Sequence, residues 1–252
     1  MSLLSKLKVD KGAQEQEERL STGSRRPSDV YDFNIEMVYL TAADSGAIAA
    51  NLVLKDDKGE YRETIYISNK NGENFYYKKD KDGNLTDEKI LLPGYQLLNS
   101  IALLTVEKEF DELESEEKVV RLYDFEERKE LPKTVEHLPE LVGQPIKVAI
   151  IDILENKSAK NDATNKYEAT AETREINQIE FVAHQESGAT VTELRQDKEP
   201  GSLMAAWLER NKGKQKDKRK IKDGAPAAGK SGRPTPAGAA GGEKKTSSLF
   251  KK

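Results

Sequence analysis

No cysteine occurs among the 252 residues, so neither a disulfide framework nor a thiolate metal site is available. That suits a reducing compartment. Histidine is almost as scarce. His137 and His184 are the only two, and neither has metal-ligand spacing to a second ligand. Each reads as a surface or core residue, and no metal or other cofactor is expected. No apolar run approaches the roughly 18 residues of a membrane span. The segment Met1 to Lys11 has too short an apolar stretch for a secretory signal. The expectation is a cytoplasmic protein.

Charge is abundant but unevenly placed. Charged residues make up 34% of the chain and hydrophobic ones 36%, which limits how much of it can enter a packed core. The net charge of -4 hides two opposed parts. Residues 212–252 hold thirteen Lys/Arg against three Asp/Glu, and residues 1–211 hold 28 against 42. A body so acidic cannot bind a polyanion over its whole surface. It needs a local patch, which a basic tail can assist by long-range attraction.

The pattern along the chain predicts three parts. Residues 1–28 are polar and read as a flexible arm, with a short helix over Lys11–Leu20. Arg25 and Arg26 at its end are candidates to touch phosphate, or plain surface. Residues 29–191 read as one β-rich domain with one or two helices. Tyr31, Phe33, Ile35, Met37 and Tyr39 alternate at period two, the mark of a half-buried strand. Ala47–Lys55 and Glu60–Ser68 form a hairpin about the turn Asp56-Asp57-Lys58-Gly59. Asn74–Lys79 is a further strand, with a tip at Lys81–Asn84. Pro93 starts a helix whose apolar stripe is Leu97, Leu98, Ile101 and Leu104. Val119–Phe125 is a strand, and Leu131-Pro132 opens an irregular connection. Ile146–Leu154 is the best core strand, followed by a polar loop to Lys166 and a last strand, Tyr167–Val182. Past Val191 order should fade. Residues 192–252 read as a flexible basic tail, interrupted by a short helix over Ser202–Arg210. Fifteen of the nineteen residues from Gly224 to Gly242 are Gly, Ala or Pro, a linker composition.

Motifs for catalysis are missing. Gly224 to Ser231 satisfies the phosphate-loop pattern as written, but no hydrophobic strand precedes it and no helix-forming segment follows. The carboxylates of Asp111 to Glu117 read as a solvated face. The chain is therefore expected not to be an enzyme, although an unrecognised activity on DNA stands as an alternative. What stands out is the interleaving of rings and cations over residues 61–79. Single strands are held by bases stacked on aromatic rings while cations track phosphates, at ~1–3 kcal/mol per stack. With Ile65 and Ile67 inward, Arg62 and Tyr66 face outward. One parity of the next strand buries Phe75 and Tyr77 and exposes Tyr76 and Lys78. The candidate nucleic-acid contacts are Arg62, Tyr66, Lys70, Tyr76, Lys78 and Lys79.

Two segments carry a resemblance. Val119-Val120-Arg121-Leu122-Tyr123-Asp124-Phe125, continuing through Glu126-Glu127-Arg128-Lys129-Glu130-Leu131-Pro132, is followed by Leu141-Val142-Gly143-Gln144-Pro145-Ile146-Lys147-Val148. Together with the helix start Leu92-Pro93-Gly94-Tyr95, they resemble the core of single-stranded-DNA-binding proteins of tailed bacteriophages. The resemblance spans about Tyr31 to Ala183 and rests on general pattern. It implies an OB-fold, a five-stranded Greek-key barrel that binds oligonucleotides across strands two and three. It also implies sequence-independent binding of single-stranded DNA in phage replication, recombination and repair, within the host cytoplasm. Members of this class usually end in an acidic tail with a terminal aromatic. Here Leu249, Phe250, Lys251 and Lys252 keep the aromatic and reverse the charge. These four are the candidate partner contacts, toward phage replication proteins or host RNA polymerase. The alternative function is a transcription-regulating adaptor acting through that tail.

Overall fold

The computed structural model describes residues 25–221 except 125, 126 and 163. Its chain order is β1 (Asp29–Ala42), β2 (Ile48–Asp56), β3 (Gly59–Tyr66), β4 (Phe75–Lys79), β5 (Leu85–Leu91) and α1 (Pro93–Val106). There follow β6 (Glu116–Asp124), β7 (Lys129–His137), β8 (Pro145–Asn161) and β9 (Lys166–Ala183). The last elements are α2 (Val191–Arg195), α3 (Ser202–Asn211) and β10 (Gln215–Asp217). The protein is mostly β-sheet, with few helices.

β1 organises the sheet because it is long enough to serve two sets of neighbours. Its first half pairs antiparallel with β8, and its second half with β2 and, at Tyr39 and Leu40, with β7. A register shift between Ile35 and Met37 marks the change of direction. Such an irregularity bends a strand and increases its twist. β3 follows β2, β9 follows β8, and β6 follows β7. The sheet therefore curls around one core. Phe33, Ile35, Leu52, Leu54, Ile65, Ile146, Val148 and Ile150 line it, and Leu98 and Ile101 of α1 enter it. α1 starts where Pro93 sits at its first position and ends at Glu107, whose φ is 59°. Proline lacks the N–H that a first turn leaves unused anyway.

Two smaller clusters lie outside this core. Val120 and Val135 of the β6–β7 hairpin fold onto Tyr39 and Val53, on the outward side of β1 and β2. Trp207 of α3 packs with Ala149, Ile151 and Ile153 on the outward side of β8. Thus β8 is buried on both faces, which explains its near-continuous apolar sequence.

Several expectations change here. Order continues thirty residues past Val191. β10 pairs in parallel with Asp152–Leu154 of β8, and Ile221 is buried. α3 forms where a short helix was expected, with Leu203 and Ala206 exposed while Trp207 and Leu208 pack. The end of the expected arm is also built in. Ser28 Oγ accepts from the backbone N–H of Asp152 at 2.8 Å, and the Ser28 carbonyl accepts from the N–H of Gly213 at 2.7 Å. The segments leading into β1 and out of α3 thereby meet on β8. Residues 131–132 lie in β7, not in a loop: Pro132 stands opposite Arg121 of β6, and on its other side β1 meets β7 only at Glu136 and His137, so that side is unpaired at Pro132 among the described residues. A proline's missing N–H is tolerated on such an open side. The polar stretch after Leu154 continues as strand to Asn161, because β8 and β9 run on as a hairpin beyond the core. The expected Lys11–Leu20 helix, the Gly224–Ser231 pattern and the terminal Leu249, Phe250, Lys251 and Lys252 lie outside the described residues.

Candidate nucleic-acid interface

β3 alternates between core and solvent. Tyr61 and Ile65 are buried, whereas Arg62, Thr64 and Tyr66 point outward. Tyr66 is 57% exposed. Across β2 the register places Val53 opposite Arg62, Asn51 opposite Thr64 and Ala49 opposite Tyr66. On β1 the partners of those residues are Met37, Tyr39 and Thr41. The β6–β7 hairpin covers the Met37, Tyr39 and Val53 part of this surface. Burial beneath that hairpin raises the Tyr39 hydroxyl pKa, and the charge of nearby Arg62 opposes the rise. On the rest of the face Arg62, Thr64 and Tyr66 are exposed, Asn51 and Thr41 are half-buried and Ala49 is buried.

Close packing fixes the Tyr66 end. A Cβ on Gly94, at the start of α1, would lie 2.1 Å from the Tyr66 carbonyl oxygen and 2.8 Å from Ile65 Cγ2. Only glycine lets the helix approach the strand so nearly. Arg26 fixes the other end. Its guanidinium donates to both carboxylate oxygens of Asp56, at 2.6 and 2.8 Å, and lies over the rings of Phe33 and Tyr31. The Arg26 hydrogen bond holds the Asp56 carboxyl below its ordinary pKa against a smaller opposing effect of burial. Arg26 is therefore a buried clamp on the β2–β3 turn. Arg25 is likewise committed, to Asp152 and Glu175. Neither arginine presents its charge freely to phosphate.

The sequence-chosen residues fall on two surfaces. Arg62 and Tyr66 share the outward face of β3, and Lys70 is exposed in the turn that follows. Tyr76, Lys78 and Lys79 belong to β4, which pairs only with β5 among the described strands and makes a separate two-stranded arm. The arm has no core beneath it, and this corrects the expected parity. Tyr76 is exposed, but so is Tyr77, and Phe75 is only half-buried. Phe75 and Tyr77 meet edge to face with centroids 5.7 Å apart. Lys89, the cross-strand partner of Tyr77, sets its ammonium 4.2 Å from the Phe75 centroid. Lys89 was invisible to a reading along the sequence, because its link to the rings arises from strand register. Asn51 and Thr41 were missed for the same reason.

Counter-charges temper the cations. Glu60 holds Arg62 at 2.7 Å and Glu88 holds Lys78 at 3.0 Å, both pairs exposed. Exposed pairs contribute little, ~0–1 kcal/mol, so a phosphate can displace the carboxylate at small cost. The first stretch of the basic tail is also partly neutralised on the body. Lys212 pairs with Asp29 and Lys216 with Glu180. Among the described residues there is no group of three or more His, Asp or Glu able to hold a metal ion. No helix among them is long and apolar enough to cross a membrane. Comparison with family models, with curated proteins and with solved structures gave no match.

Proposed function

We propose that this chain binds single-stranded DNA without sequence specificity, across the outward face of β2 and β3 and along the β4–β5 arm. The observation that carries the reading is Tyr66, exposed on the same face as Arg62 and Thr64 and held in place by Gly94. An aromatic ring beside a cation on an open sheet provides stacking for a base and attraction for its phosphate. The aromatic arm supplies further rings in Phe75, Tyr76 and Tyr77, with Lys79 and Lys89 nearby on the same hairpin.

The strand order supports an OB-type barrel as the frame. β3, β2, β1, β8 and β9 follow one another, with α1 between the third and fourth of these in chain order. That arrangement suits the five-stranded Greek key, whose second and third strands bind oligonucleotides. β4–β5 and β6–β7 are then hairpins added around α1, and β10 is an extra edge. The phage-type resemblance adds replication, recombination and repair as the setting, and makes the reading non-enzymatic. Partner contacts through Leu249, Phe250, Lys251 and Lys252 belong to the same proposal.

Fluorescence anisotropy with single- and double-stranded oligonucleotides of equal length tests the reading. Single strands should bind much more tightly, because paired bases cannot stack on Tyr66 or Tyr76. Equal affinity for the two would overturn it.

A further inference from the structure

Between β3 and β9 the sheet leaves a gap, which the Glu63 side chain bridges at the N–H of Ile179. On either side of that bridge the gap opens into a cleft. The cleft toward Asn177 has Arg25 and Arg62 in its lining, and each already meets a glutamate, Glu175 and Glu60. The cleft on the Tyr66 side has a volume of about 400 Å³, within the range of roughly 300–1,000 Å³ that holds small ligands. Buried Ile65 and Ile179 and half-buried Leu97 give it an apolar floor, and Pro93 and Gly94 bring the start of α1 against it.

This second cleft continues the outward face of β3 around the strand edge, because Thr64 and Tyr66 belong to both. Backbone groups stand at the same edge. The N–H of Ile67 bonds to the Ile48 carbonyl at 2.9 Å, and antiparallel pairs alternate between bonded and non-bonded. The N–H and C=O of Thr64 therefore point away from β2, toward β9. Among the described residues lining the cleft, Lys218 alone is cationic. Its backbone N–H donates to the Leu154 carbonyl at 2.8 Å, which holds the residue on the body. Its ammonium donates to Gln178 Oε1 at 3.1 Å, a neutral partner. The two carboxylates at the cleft are taken up by other groups. Glu180 accepts from Trp207 Nε1 and Lys216 Nζ at 2.6 and 2.9 Å, and Glu63 accepts from Tyr61 and Ile179. An anion can thus reach the Lys218 charge by displacing a neutral amide.

We propose that this cleft receives one nucleotide of the bound single strand, its base over the apolar floor beside Tyr66 and its phosphate at Lys218. The inference rests on the DNA-binding reading above and adds a path to it. The strand leaves the sheet face over the edge of β3 and meets the folded part of the basic segment. Apolar contact and a ring face accept any base, in keeping with sequence-independent binding. Lys218 then acts by contact from a fixed position, not by long-range attraction.

Fluorescence anisotropy of the full chain with oligo-dT, together with thiol labelling, tests the path. Lys218→Ala should weaken binding about fivefold, the upper range for one exposed ion pair. It should also make the log–log salt slope shallower by about 0.7, the share of one phosphate. Lys220→Ala removes the same charge at an exposed position outside the cleft lining. It should change affinity by less than about twofold, as a screened surface charge does. The chain has no cysteine, so Gln178→Cys places a single thiol at the cleft. Its alkylation by iodoacetamide should slow severalfold at saturating oligo-dT. A thiol from Leu194→Cys, 57% exposed on α2, should react at an unchanged rate. Equal effects of Lys218→Ala and Lys220→Ala would overturn the inference while leaving DNA binding intact. So would a Gln178→Cys thiol that oligo-dT does not protect. Absence of any oligo-dT binding by wild type would overturn the functional reading itself, and this inference with it.

Discussion

Glu63 on β3 accepts a hydrogen bond from the backbone N–H of Ile179 on β9, at 2.9 Å. The two strands have no ladder between them among the described residues, so this side chain stands in for one. Tyr61 donates its hydroxyl to the same carboxylate at 2.6 Å. Burial raises the Glu63 pKa, and the bonds from Tyr61 and Ile179 oppose the rise without cancelling it. Burial also raises the Tyr61 hydroxyl strongly, with the Glu63 charge adding to it.

A carboxyl group raised on folding binds its proton more tightly in the native state. The stability it contributes is present below the unfolded pKa and is lost as pH rises through the folded one. Glu63→Gln keeps an acceptor without a buried charge. Urea melts of wild type and Glu63→Gln should diverge as pH is raised from 4 to 7, with the variant gaining. A gap constant across that range would show that Glu63 does not titrate in this way.

Stacking and core residues should separate by mutation. Tyr66→Ala and Tyr76→Ala should each weaken binding to single strands by about 1–3 kcal/mol while leaving a cooperative melt. Ile150→Ala, with a fully buried side chain, should cost roughly 2–5 kcal/mol of stability. Raising salt should weaken oligo-dT binding with a log–log slope of about -0.7 per neutralised phosphate. If either tyrosine variant unfolds instead, that ring serves the fold.

Gly94→Ala probes the approach of α1 to β3. Its methyl group would meet a backbone carbonyl, which cannot swing aside as a side chain can. A cost of about 1–3 kcal/mol is expected, together with weaker binding to single strands because Tyr66 is displaced. Unchanged melting and binding would show that the helix shifts freely.

Two truncations bracket the end of the folded body. Removal of residues 222–252 should leave the melting transition nearly in place and weaken DNA binding modestly, chiefly at low salt, where a cationic chain attracts over long range. Ending the chain after Asn211 additionally removes β10 and buried Ile221. Burial of one large aliphatic side chain is worth about 1.5–3 kcal/mol, so the melting point should fall by roughly 4–10 °C. Identical melts for the two truncations would place residues 212–221 outside the cooperative unit.

The strands of the core and the main helix were legible because their apolar residues repeat at the period of the element they form. Phe33 and Ile35 alternate into the core as expected, although the register shift after Ile35 turns Met37 and Tyr39 to the outward side and puts Val38 in the core. Leu98, Ile101 and Leu104 recur at helical spacing, and the β2–β3 turn has its own composition. The outward setting of Arg62 and Tyr66 followed from the same alternation. Residues 212–221 were read as tail because lysine-rich sequence carries no sign of burial. They pack because Asp29, Asp152 and Glu180 lie within reach of Lys212, Gln215 and Lys216.

By itself, then, the sequence determined a β-rich body, the core faces of β2, β3 and α1, the unequal distribution of charge and the ring-bearing stretch over residues 61–79. Tertiary structure alone decided which rings share a surface. Tyr77 is exposed because β4 and β5 leave the body, and Lys89 reaches Phe75 through the register of that arm. Asn51 meets Thr41 and Thr64 across strands ten and thirteen residues away. Periodicity reports which way a side chain points from its own strand. It holds no record of the neighbour across the sheet, and that neighbour is fixed only when the strands pair.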